Sequence, residues 1–186
     1  MNINKERNLV IPIVRENNER IYIHSLPISR EVFESFHSVL SKAFSTLTNN
    51  GINIIACLST AKLALMDAAR ELDAVERTQN GLINEIRRIS TVLYTGTNGW
   101  DSIMLSDAIK RGIIDDDELD EVENALVFFI LSSRLFLKAQ RPIILEGLTS
   151  LTGFVITSLG NTDWLDSLEK PTSSTDTNET ASSIVC

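Results

Sequence analysis

Two short runs rich in β-branched residues open the chain. Residues 8–14 read NLVIPIV, and residues 20–26 set Ile21, Ile23 and Ser25 against Tyr22, His24 and Leu26. The polar stretch Arg15-Glu16-Asn17-Asn18-Glu19 joins them. Two such runs around a short polar connection predict a β-hairpin over residues 8–26. Pro12 has no N–H to give a ladder, so its strand is expected at a sheet edge. A lone hairpin is marginal in water and must pack on helices or pair with another chain.

The pattern then shifts to a helical period. Ser29 is a candidate N-cap, and Val32, Phe33, Phe36, Val39, Leu40, Ala43, Phe44 and Leu47 recur at three and four residues. Asn49-Asn50-Gly51 ends that stripe, with Gly51 suited to a left-handed cap. A second helix is predicted over about 52–72, where Ala56, Ala61, Ala64, Ala68 and Ala69 permit close approach of a neighbour, so it is placed centrally. A third is predicted over about 78–94, with Leu82, Ile83, Ile86, Ile89, Val92 and Leu93 as its apolar face. Residues 96–100, Gly-Thr-Asn-Gly-Trp, read as a loop with an aromatic anchor. A short helix over 107–111 stops at Gly112, and Asp115 with Glu118 makes a capping-box pattern for a long helix to about Ala139. Pro142 opens a sixth helix to about Leu159, and residues 164–168 read as one amphipathic turn. Gly147 and Gly153 inside the sixth helix point to close helix packing.

Half of residues 171–186 are Ser or Thr and none is aromatic. Such a segment buries too little apolar surface to offset chain entropy and is expected to be disordered. The expected fold is therefore mainly α, a bundle of about five to six helices with an N-terminal β-hairpin. It forms one domain over 1–170, followed by the disordered tail over 171–186.

Composition excludes more than it selects. The 17 Lys and Arg stand against 25 Asp and Glu, a net charge of −8, which argues against a nucleic-acid partner. The basic residues are scattered, and Arg134, Lys138 and Arg141 fall where a helix C-terminus favours positive charge. The most apolar run, residues 125–131, is shorter than the roughly 18 residues a membrane span needs. No secretory leader is expected from the N-terminal sequence, and Ser183 stands where a prenylated Cys would. Cys57 and Cys186 make no disulfide framework, which fits a reducing compartment.

No constellation for catalysis emerges. Seven of the nine residues 115–123 are acidic, yet an EF-hand loop beginning at Asp115 would need Gly where Asp120 stands. The run reads as a negatively dressed helix start that can also face a basic partner. His24 and His37 are the only histidines, and neither has a second ligand at metal-binding spacing. No G-x-S-x-G elbow, dinucleotide fingerprint or P-loop occurs. No catalytic residue, metal or cofactor is assigned. The run Leu126-Val127-Phe128-Phe129-Ile130-Leu131, continued by Leu135-Phe136-Leu137, is more apolar than one buried face requires. Its first reading is a core position and its second an interface with another chain.

The segments in order carry a resemblance. The hairpin ends in SLPISREVFESF, and LINEIRRISTVLY and a Gly-Trp loop follow. Then come AIKRGIIDDDELDEVENALVFFIL and a close in TSLGNTDWLDSLEKPTSSTDTNET. Together they resemble tail assembly chaperones of long-tailed bacteriophages, over nearly the whole chain. The resemblance implies a non-enzymatic assembly factor of the host cytoplasm. It would bind the tape-measure protein and promote polymerisation of the tail-tube protein, with homo-oligomerisation open. Phe128, Phe129, Leu135 and Phe136, and the hairpin, are then the expected partner-binding residues. The competing readings are a structural virion component, such as a connector or tail-completion protein, and a small enzyme assembled from dispersed polar residues.

Overall fold

The computed structural model describes residues 7–168, except 18, 50, 52, 97 and 98. The tail over 171–186 and its expected disorder lie outside the described residues. Strands β1 (Asn8–Val14), β2 (Arg20–Ser25), β3 (Ser90–Gly96), β4 (Gly99–Met104) and β5 (Val155–Thr157) form one antiparallel sheet in the order β4-β3-β2-β1-β5. The helices are α1 (Arg30–Ser35), α2 (His37–Thr48), α3 (Ile54–Glu71), α4 (Val75–Arg77), α5 (Asn84–Arg88), α6 (Leu105–Lys110), α7 (Asp116–Leu135), α8 (Arg141–Thr152) and α9 (Asn161–Ser167). A π-helical stretch, Thr78–Ile83, joins α4 to α5.

This overturns the mainly helical bundle. The chain is a mixed α/β fold with a five-stranded sheet. Two helices were expected to run too far. The third ends at Arg88, and residues 90–96 instead pair with β2, setting Tyr22 opposite Leu93 and Ile23 opposite Val92. Ile86, Ile89, Val92 and Leu93 satisfy a helical period, but Ser-Thr-Val-Leu-Tyr-Thr is also a strand sequence, and the partner strand decides. The following Asn98-Gly99 is a strong hairpin signal, and Gly99 takes a φ of 130° between β3 and β4. The sixth helix stops at Thr152, because Gly153 adopts a left-handed φ of 73° as its C-cap. The β-branched residues after it then pair with β1.

Other expectations hold. The hairpin registers Ile11 with Ile23 and Ile13 with Ile21. Its first strand is not the expected sheet edge, since β5 pairs with Asn8 to Val10 and places β1 inside the sheet; Pro12 lies beyond that pairing and faces β2 only. Ser29 caps α1, Asp115 and Glu118 form the capping box of α7, and Arg141 donates to the carbonyls of Arg134 and Phe136 at that helix's end. Gly147 is a close-packing site, because a Cβ there would meet Ile54 Cδ1 of α3 at 2.5 Å.

One sheet face carries Leu9, Ile11, Ile21, Ile23 and Val92 into the main core. The helical layer on that side centres on α7, which is buried on all sides from Val122 to Ser132. It touches β1, α2, α3 and α8, so its surplus apolar surface is covered within the chain. Each fully buried Leu, Ile or Phe there contributes about 1.5–3 kcal/mol of burial.

Candidate functional site

Of the four residues expected at a partner surface, three are buried and Leu135 is half-buried. Phe128 is 3% exposed and Phe129 1%, both in the main core. Phe136 is buried edge-on against Phe44, with ring centroids 4.8 Å apart, and Leu135 is half-buried. A partner would have to displace α2 or α3 to reach them. The exposed apolar residues are instead scattered over the helices and strand ends, among them Leu137, Ile143, Leu151, Val155 and Leu159.

The titratable groups form structural pairs. Glu123, buried in α7, takes Arg87 Nε at 2.6 Å on one carboxylate oxygen. Lys62 Nζ lies 2.8 Å from the other, off the hydrogen-bonding direction, and 2.8 Å from Asp120. Asn124 accepts from the backbone N–H of Lys62 and completes this tie between α3 and α7. Arg15, in the hairpin turn, grips both oxygens of Glu118 at 2.7 Å and holds its carboxyl below the usual range. His37 is exposed, while Cys57 is buried and its thiol is pushed up by burial, which leaves it inert. Among the described residues, no group of three or more His, Cys, Asp and Glu could hold a metal ion.

A recess lies beside β5. Pro142, Leu145, Glu146 and Thr149, one face of α8, make one wall. Arg7 and residues 154–158 make the other, enclosing about 640 Å³. Three local causes build it. Pro142 starts α8 at a favoured position, Gly153 turns the chain back, and pairing of Val10 with Val155 fixes β5 as the last strand of the sheet. That strand's outer edge has no neighbour among the described residues, so it presents backbone donors and acceptors next to Phe154, Ile156 and Leu145. A smaller groove of about 340 Å³ runs between the end of α2 and the start of α3, past Leu47, Ala56, Thr60 and Leu63.

The recess can bind an extended peptide through the strand edge and its side chains through the apolar floor. It holds no nucleophile–base pair. In sequence, residues 142–159 read as one helix, which hides the recess; Gly153 followed by Val155-Ile156-Thr157 is the signal of the break. No helix among the described residues is long and apolar enough to cross a membrane. Comparison with known proteins returned no matching family model, no similar curated protein and no similar solved structure.

Proposed function

We propose that the protein is a non-enzymatic assembly chaperone of the phage tail type. It acts in the host cytoplasm, holds segments of the tape-measure protein and promotes polymerisation of the tail-tube protein around it. One observation supports this above others: the outer edge of β5, which has no neighbour among the described residues, runs beside a recess of about 640 Å³ with an apolar floor. A client strand added there gains backbone hydrogen bonds, and the recess takes its alternate side chains. With only three residues, β5 binds weakly by itself, which suits a factor that must release its client.

The test is co-expression with the tape-measure protein of the same genome, scored by soluble yield and co-purification. The unaltered chain should keep the client soluble and bring it down. Val155→Lys, at an exposed edge position, should cut the recovered client at least tenfold, a loss of about 1.4 kcal/mol in affinity. An insoluble client, or full recovery with Val155→Lys, counts against the proposal.

A second reading, a structural virion component, is favoured by one feature. The sheet ends in two different edges, β4 and β5, and a head-to-tail contact between unlike edges can close copies into a ring. Mass spectrometry of purified particles separates the two, because a chaperone leaves and a ring component stays.

A further inference from the structure

The sheet's second face carries a polar feature that neither the recess nor the core uses. Asn8 and His24 lie on this face, two residues apart in register, since Val10 pairs with His24. They are 5% and 1% exposed. Both meet the same atom: the carbonyl oxygen of Leu159 accepts from Asn8 Nδ2 at 2.7 Å and lies 3.0 Å from His24 Nε2. Leu159 opens the segment that leaves β5, crosses this face and continues into α9. A carbonyl only accepts, so His24 presents an N–H at Nε2, and a further proton can add only at Nδ1.

We propose that His24 is a proton-operated latch for this strap, and that charging the imidazole releases residues 158–168 from the sheet. The proton adds at Nδ1, and the ring becomes a buried cation. Among the described residues no counter-ion lies against it. Its cross-strand neighbours are Val10 and Thr91. Among the described residues, the titratable or charged groups on the elements packed around it are Arg7, Arg20, Tyr22, Tyr94, Asp163 and Asp166, and none hydrogen-bonds or ion-pairs with the ring. Three polar atoms along this path are already buried without a partner: Asn8 Oδ1, Asn161 Oδ1 and the Trp164 indole nitrogen. The Leu159 carbonyl and a hydrogen bond of the ring to its own backbone favour the cation, but burial outweighs both and holds His24 below its ordinary value of 6.5.

The strap is the part built to yield. No residue of α9 is buried, and among the bonds of the described residues two side-chain hydrogen bonds tie the strap to the sheet, both at Leu159, since the bond there from Leu159 N–H to Thr157 Oγ1 is local. Such a segment opens at lower cost than the core. The sign follows from the lowered value. Closure is complete while His24 is neutral, above the usual histidine range, and is lost as pH falls toward the folded value. Because residues 155–158 also wall the recess, opening the strap loosens the edge strand next to it.

Hydrogen exchange of the full chain between pH 7.5 and 5, corrected for the chemical rate, reads this directly. Amides of residues 158–168 should lose protection by up to about tenfold per pH unit while those of α7 stay protected. His24→Gln keeps a donor for the carbonyl but cannot charge, and should flatten the dependence; His37→Gln should leave it unchanged. An unchanged strap in the wild-type chain at pH 5, or an equal loss in His24→Gln, overturns the latch. Should His24→Gln not fold, proton NMR of His37→Gln, which leaves His24 as the one histidine, decides. Strap amide shifts that track the imidazole titration support the latch, and shifts that ignore it overturn it.

Discussion

Glu123 carries a charge into the middle of the helical layer, and two cations meet it there. Lys62 and Arg87 each keep about a quarter to a third of their side chains in water, which softens the loss when the carboxylate is removed. Breaking a fully buried pair costs about 3–5 kcal/mol, so Glu123→Gln should cost about 2 kcal/mol in a denaturant titration. Two glycines give a paired prediction at the same scale. A Cβ at Gly81 would lie 2.6 Å from Cζ of the Phe36 ring, which also sits under the Arg77 guanidinium at 5.1 Å. That ring cannot turn aside without losing its cover. Overpacking of about 1–3 kcal/mol outweighs the gain of about 1 kcal/mol from helix preference, so Gly81→Ala should lose about 1 kcal/mol. At Gly147 the obstacle is the terminal methyl of a half-buried Ile54, which can rotate away. Gly147→Ala should therefore stay within about 1 kcal/mol of wild type by the same measurement.

Between elements, Arg15 does the most to fix the hairpin against the helices. Besides its two bonds to Glu118, its Nη2 donates to the Ile113 carbonyl at 2.5 Å. Glu118 in turn accepts from Asp115 N–H in the capping box, so one guanidinium joins the hairpin turn to the first turn of α7. Charge-assisted bonds of this kind are worth about 1.5–3 kcal/mol, and Arg15→Met should cost about 2 kcal/mol at pH 7. The Arg15 hydrogen bonds are the chief reason that the Glu118 carboxyl is depressed. A depressed carboxyl stabilises above its unfolded value near 4.5 and stops doing so as pH falls through the folded one. The gap between wild type and Arg15→Met should close in acid. Urea titrations at pH 7 and pH 3 check this, and a gap of equal size at both would refute it.

At the scale of the whole molecule the two sheet edges are not equivalent. Strand β4 shows Asp101, Ser102 and Met104 to solvent, whereas β5 has the recess beside it. A charge on the β5 edge should block client capture, while Ser102→Lys on β4 should leave co-purification unchanged. If both substitutions reduce capture equally, the client is not confined to the β5 side. The apolar run around Phe128 does not enter this comparison, because α7 spends that surface on the core.

Where neighbours in sequence decide the structure, the chain was legible from its residues. The hairpin, the Ser29 cap, the Asp115–Glu118 box and the end of α2 near Gly51 all follow from local patterning, because turn chemistry and orphan backbone groups act over a few residues. The burial of α7 was legible too, since an all-round apolar helix must be covered, but whether its cover is this chain or another was not. Residues 90–96 and 155–157 needed the folded molecule. Their apolar spacing suits helix and strand alike, and the choice is made by hydrogen bonds to β2 and β1, more than 60 and 140 residues away in sequence. The recess beside β5 and the meeting of Asn8, His24 and Leu159 arise from those same long-range pairings. Local sequence therefore determined where elements begin and turn, and the tertiary structure decided which of them became strands and what their edges offer.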